Sequence, residues 1–262
     1  MKRRNQGPVK AYRDLEFLTS REARTLRILA EYLEPEGRFA RYNIEDTIVF
    51  FGSARASRGA KGSDARRTLD RYYDDAEELA FRITEWSKSL SDPNRRFIVC
   101  SGGGPGIMEA ANRGASRARG LSVGLGISLP NEQGVNDYVS RELAFEFHYF
   151  FMRKFWLVYL AKALCVFPGG FGTMDELFEL LTLTQTGTSR RPRPIILFGE
   201  EFWNQVMGWE TLVDWGVIDE KDLSLFRICG TVDEAFDHLT GELTRLHSLA
   251  SPAPDQSTPS SD

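Results

Sequence analysis

A chain of 262 residues, 42% of them hydrophobic, is long enough to bury one large core. Its 33 Lys and Arg against 37 Asp and Glu leave a net charge of −4, with no basic stripe among exposed aromatics, which argues against a nucleic-acid partner held through phosphate charge. No run nears the roughly 18 apolar residues of a membrane span. The basic start "MKRRNQGPVKAYRDLEF" leads into no apolar stretch, so neither membrane association nor a secretory signal is expected, and the protein reads as cytoplasmic.

Taken in chain order, residues 1–19 read as a flexible N-terminal segment, and 20–34 ("SREARTLRILAEYLE") as a helix capped by Ser20 and laid across a sheet. Short apolar runs then recur: "TIVFFGSAR" (47–55), "RFIVCSGGG" (96–104), "LSVGLGISLP" (121–130), "ALCVFPGG" (163–170), "PIILFGEEFW" (194–203) and "LFRICG" (225–230). They are near-continuously hydrophobic, the pattern of strands covered on both faces in a parallel sheet. Between and after them, 69–91, 105–119, 144–160, 173–186, 201–215 and 231–247 have helical length and spacing. The expected fold is α/β, a doubly wound (Rossmann-like) parallel sheet flanked by helices in a single domain over 20–247. The Ser/Pro-rich "SLASPAPDQSTPSSD" (248–262) has too few large apolar residues to offset its ordering entropy and reads as disordered. Cys100, Cys165 and Cys229 end apolar runs and read as buried thiols. His148, His238 and His247 are scattered, so no metal site is expected.

The segment 141–164, "RELAFEFHYFFMRKFWLVYLAKAL", reads as a helix with aromatic residues all round it. That is more apolar surface than one buried face requires, so it is expected to contribute to a homodimer.

In an open parallel sheet, ligands bind beyond the carboxyl ends of the strands, and three loops there are unusual. "SGGGPGIMEAANRGA" (101–115) sets Gly102, Gly103 and Gly104 before a helix whose first turn holds Pro105. "PGGFGT" (168–173) repeats the device, and "FGSAR" (51–55) makes a third small-residue turn. Glycines let amides approach an anion and a helix N-terminus adds positive charge, so two such loops in one sheet point to a phosphate site. Neither has dinucleotide-fingerprint spacing or a P-loop Gly-Lys-Ser/Thr. Glu176 reads as lying in the first turn of the helix after "PGGFGT", and Arg153 in the helix feeding the preceding strand.

"SGGGPGIMEAANRGA", "FMRK" and "PGGFGTMDE", in this order, resemble the Lonely Guy family of cytokinin riboside 5′-monophosphate phosphoribohydrolases, formerly labelled lysine decarboxylases. The family pattern PGGxGTxxE is matched throughout from Pro168 to Glu176. Glu109 stands where shorter plant-type members carry glycine, and with the extra N-terminal helix this is more similar to the longer bacterial branch. The resemblance implies hydrolysis of the N-glycosidic bond of an adenine or N6-substituted adenine nucleoside 5′-monophosphate, without metal or organic cofactor. It implies Arg153 and Glu176 as the catalytic pair. Gly103, Gly104, Gly169, Gly170, Gly172 and Thr173 would surround the 5′-phosphate, Ser53 would lie near the base or ribose, and Glu109 and Lys154 would complete the substrate site. Two rivals stand beside it. One is a non-catalytic nucleotide or molybdenum-cofactor carrier of the same superfamily. The other is a decarboxylase with a Schiff-base lysine, for which Lys154 and Lys162 are the candidates near the site.

Overall fold

The computed structural model describes residues 8–58, 69–90, 96–128, 134–188 and 192–247; the tail expected to be disordered lies outside them. From residue 8 the segment expected to be flexible carries a 3-10 turn (Ala11–Arg13) and a short helix, α1 (Leu15–Thr19), whose Phe17 amide donates to the Asp14 side chain at 3.2 Å.

Seven strands form one parallel sheet: β1 (Thr47–Phe51), β2 (Ile98–Ser101), β3 (Ser122–Ile127), β4 (Ala144–Phe147), β5 (Ala161–Val166), β6 (Ile195–Phe198) and β7 (Arg227–Cys229). Their order is β4-β3-β2-β1-β5-β6-β7. The doubly wound α/β reading therefore holds. Every residue of β1 and β6 is buried, as central strands covered on both faces must be. On one face, α3 (Asp70–Ser89), α4 (Ile107–Arg117) and α9 (Val232–His247) close a core around Ile48, Phe50, Phe167 and Phe198. On the other, α2 (Arg24–Arg41), α5 (Phe150–Tyr159), α6 (Phe171–Gln185), α7 (Glu200–Val206) and α8 (Trp209–Asp214) close a second around Val49, Leu125, Leu164 and Trp203. Chain order reverses at β1, between β2 and β5, so the crevice for a ligand lies beyond the carboxyl ends of β1 and β5. Cys100, Cys165 and Cys229 are buried free thiols.

Three local expectations are corrected. The helix expected at 20–34 runs instead from Arg24 to Arg41, because Ser20 closes α1 and its carbonyl is taken by the Arg27 guanidinium at 2.6 Å. It continues through Pro35, which has no N–H for the Glu31 carbonyl four residues back. That carbonyl accepts instead from the Trp156 indole at 3.1 Å, and the Glu31 carboxylate accepts from the His148 and Tyr149 amides that open α5. The single helix expected over 141–164 is a 3-10 turn, β4, α5 and then β5. In β4, Phe145 and Phe147 are buried while Glu146 is exposed, a period-two pattern that joins the sheet edge beside β3. The helix expected over 201–215 is two, broken at Met207 and Gly208.

Candidate active site

The three loops singled out by composition meet at Ser53. Its amide donates to Pro168 O in the loop after β5 at 2.9 Å, and its carbonyl accepts from Ile107, the first residue of α4, at 3.1 Å. The loop after β1 is thus hydrogen-bonded to both glycine-rich loops through one residue. The fit leaves no room for side chains: a Cβ on Gly106, which sits at φ +71°, would lie 2.2 Å from Ser53 O, and one on Gly52 would lie 2.7 Å from Ile107. The Ser53 hydroxyl itself accepts from the Arg55 amide at 3.1 Å.

The α6 loop is built differently. Gly169 lies against Thr173, whose Oγ1 would be 2.1 Å from an added Cβ, but Cβ atoms on Gly170 and Gly172 would meet nothing within 4 Å. Gly170 is the N-cap and supplies no side-chain cap, and no acidic residue occupies the first turn. The first amides of α6 thus have no side-chain cap, and the positive end of the helix dipole lies behind them.

Glu176 is the sixth residue of α6, in its second turn rather than its first, because the helix already begins at Phe171. That places it on the buried face, with its side chain 5% exposed. Arg153 Nη2 lies 3.6 Å from Glu176 Oε1 and Lys154 Nζ 3.9 Å from Oε2. Among the described residues, Oε2 accepts no hydrogen bond. The "MRK" of α5 is not a solvated face, since the Arg153 and Lys154 side chains are 17% and 18% exposed. Burial pushes the Glu176 carboxyl up to about 7, against the pull of Lys154 and Arg153, with Glu179 and Asp175 adding to the rise. Lys154 also holds Asp175 Oδ2 and Glu179 Oε2, each at 2.7 Å. Burial lowers the Lys154 pKa, but its bonds to Asp175 and Glu179 and the charge of Glu176 outweigh that, so it is held more firmly protonated than a free lysine.

Arg153, Lys154 and Glu176 therefore stand together, with Gly169, Gly170, Gly172 and Thr173 one to two turns away along α6 and Ser53 on the adjoining loop. Gly103 and Gly104 lie in the α4 loop, where the Gly103 amide is taken by Ser101 Oγ at 3.0 Å. Glu109 is in the first turn of α4, and its Oε1 accepts from Tyr73 of α3 at 2.7 Å. Lys162 is not near the site: it lies at the amino end of β5, 2.9 Å from Asp46, on the opposite edge of the sheet. Sequence reasoning missed Glu179, whose i, i+3 spacing from Glu176 was the available signal. It also missed the buried pair Ser101 and Asn112 with the half-buried Asn136, which together hold the α4 loop. Among the described residues no three His, Cys, Asp or Glu side chains are grouped to hold a metal ion.

The family described as "Possible lysine decarboxylase" matches residues 108–239, half of the chain. The chain belongs to this family. No curated protein matches it. Among solved structures, the structural-genomics target TM1055 is similar over 75% of this chain and 99% of its own, at 23% identity and a TM-score of 0.50. That likeness is one of fold. The Moco carrier protein from Chlamydomonas reinhardtii is similar over 77% of this chain and 99% of its own, at 18% identity and a TM-score of 0.47. The family description does not fit the lysines here: Lys154 is fixed in its charged form by three carboxylates, and Lys162 lies at the far end of β5. A Schiff-base lysine must instead lose its proton to become a nucleophile.

Proposed function

We propose that this crevice hydrolyses the N-glycosidic bond of an adenine or N6-substituted adenine nucleoside 5′-monophosphate, releasing the free base and ribose 5-phosphate, as the Lonely Guy resemblance implies. The observation that carries this reading is the buried Glu176 carboxylate, with one oxygen accepting no hydrogen bond, set beside two cations and a turn beyond the open amides of α6. The α6 amides bind the 5′-phosphate. As the C1′–N9 bond breaks, the ionised Glu176 stabilises the oxocarbenium-like ribosyl cation, water oxygen bonds to C1′, and the water proton leaves with the base. Arg153 and Lys154 keep a desolvated carboxylate ionisable near neutral pH. Every step uses side chains, amides and water.

The protein works as a homodimer in this reading. Phe150, Phe151, Phe155 and Tyr159 of α5 are exposed, as are Phe171 and Phe178 of α6. Phe171, Met174, Asp175, Phe178, Glu179, Thr182 and Leu183 line a groove of about 540 Å³ beside the site. A monomeric mass by light scattering at micromolar concentration would contradict the dimer.

The test of activity is incubation with AMP and chromatography of the products. Equimolar adenine and ribose 5-phosphate support the reading; intact AMP that is nonetheless bound means a carrier or sensor instead.

A further inference from the structure

The segment Gly134–Ser140 forms a strap that starts beside the α4 loop and runs back along β3 from Gly126 to Ser122, keyed into glycine notches. A Cβ on Gly103 would stand 2.7 Å from Val135, one on Gly124 2.7 Å from Val139, and one on Gly126 3.3 Å from Val135. Between these valines, Asn136 is bonded to the α4 loop along its length. Its amide donates to Gly103 O at 2.7 Å, and its Nδ2 lies 3.0 Å from Gly103 O, 3.1 Å from Gly104 O and 3.0 Å from Asn112 Oδ1. Its Oδ1 accepts from the Tyr138 amide at 3.2 Å. Asn112 Oδ1 also accepts from Ser101 Oγ, which in turn accepts from the Gly103 amide.

A planar trans peptide whose carbonyl faces Asn136 turns its N–H the opposite way, and the described peptides are all trans. The Gly103–Gly104 peptide therefore directs the Gly104 N–H away from Asn136 and the strap. The next peptide offers no donor, because residue 105 is proline. We infer that Asn136 is a positioning residue, which holds two carbonyls of the α4 loop back so that the Gly104 amide faces the crevice as a donor to the phosphate of the bound ligand. This rests on the nucleotide reading above and names a residue outside the family motifs that brought that reading forward.

The test compares wild type with Asn136→Ala and Asn136→Asp, the latter setting a carboxylate against the Gly103 and Gly104 carbonyls. With folding checked by circular dichroism, KM for AMP should rise about tenfold in Asn136→Ala and further in Asn136→Asp. Turnover at saturating AMP should stay within about threefold of wild type, and catalytic efficiency on adenosine should not change. A merely structural role would instead depress AMP and adenosine alike. Independently, protein labelled with 15N-glycine should show the Gly104 amide resonance shifting on titration with ribose 5-phosphate in wild type, so the donor is tested even if a variant fails to fold. Wild type that leaves AMP intact but shows the Gly104 shift overturns the hydrolase and keeps the positioning role. Wild type that hydrolyses AMP with a stationary Gly104 resonance, or with an unchanged KM in folded Asn136→Ala, overturns the positioning role and keeps the hydrolase.

Discussion

The two glycine-rich loops look alike in sequence and serve different ends. In the α4 loop the glycines are filled notches: Gly102 against Met108, Gly103 against Val135, Gly106 against the Ser53 backbone. Two of its amides are already spent, on Ser101 and Ser53, and Glu109 occupies the first helical turn. In the α6 loop Gly170 and Gly172 face open space, the first turn has no acidic residue, and a buried carboxylate follows one turn later. In the α4 loop most of the glycines make room for neighbouring protein, whether side chain or backbone; in the α6 loop Gly170 and Gly172 leave open space.

The largest effect expected from this difference is at Glu176. Glu176→Gln should fold and lose turnover on AMP by about a hundredfold or more, ~3 kcal/mol of transition-state stabilisation. A wild-type rate in that variant would remove α6 from the chemistry. Next comes Gly106→Ala in the packed loop. At φ +71° and with Ser53 O in the way, it should lose roughly 2–4 kcal/mol of stability, read as a lower urea midpoint. Gly170→Val in the open loop should do the reverse. Its φ of −93° suits any residue, so the urea midpoint should hold, while efficiency on AMP falls about tenfold or more relative to adenosine. Equal behaviour of the two glycine variants would erase the distinction between the loops.

Much of this was legible beforehand, for identifiable reasons. The sheet could be read because central parallel strands are apolar on both faces and so appear as runs. Glu176 was singled out by the nine-residue pattern PGGxGTxxE and Arg153 by the separate "FMRK", both through the family resemblance. β4 was hidden because its alternation, Phe145-Glu146-Phe147, is short and runs into an aromatic-rich helix, where the helical period dominates any window. Lys162 was misplaced because the apolar run was started at Ala163, whereas β5 begins at Ala161, and the amino end of a strand faces away from the crevice. Asn136 gave no signal. Its partners in the α4 loop and helix lie 24 to 33 residues earlier in the chain, and nothing local in "GVNDYV" marks it.

The pH dependence sharpens the contrast further. If the working form of Glu176 is the carboxylate and its pKa is about 7, kcat/KM for AMP should rise roughly tenfold from pH 6 to pH 8. Phosphate titration of the substrate falls in the same region, so the decisive measurement is the profile of Lys154→Met. Removing that cation raises the Glu176 pKa and moves the acid limb to higher pH. A limb that stays put belongs to the substrate.

The last effect concerns stability at the same residue. The Glu176 carboxyl stands at about 7 in the folded protein against the ordinary 4.5, so folding favours its protonated form. Below pH 4.5 the group is protonated in both states and its favourable contribution is fully present. As pH rises to 7 that contribution is lost, because the folded protein must then hold a desolvated charge that the unfolded chain keeps in water. Glutamine carries no charge at any pH. Glu176→Gln should therefore melt with wild type near pH 4.5 and roughly 10 °C above it near pH 8, because the displacement from 4.5 to about 7 corresponds to about 3 kcal/mol, at about 2–4 °C per kcal/mol for a domain of this size. Such a variant would be more stable and less active, as expected where a site holds a group in an unfavourable state for use. A melting temperature lower than wild type at pH 8 would mean that the ion pairs with Arg153 and Lys154 outweigh burial, making Glu176 a structural anchor.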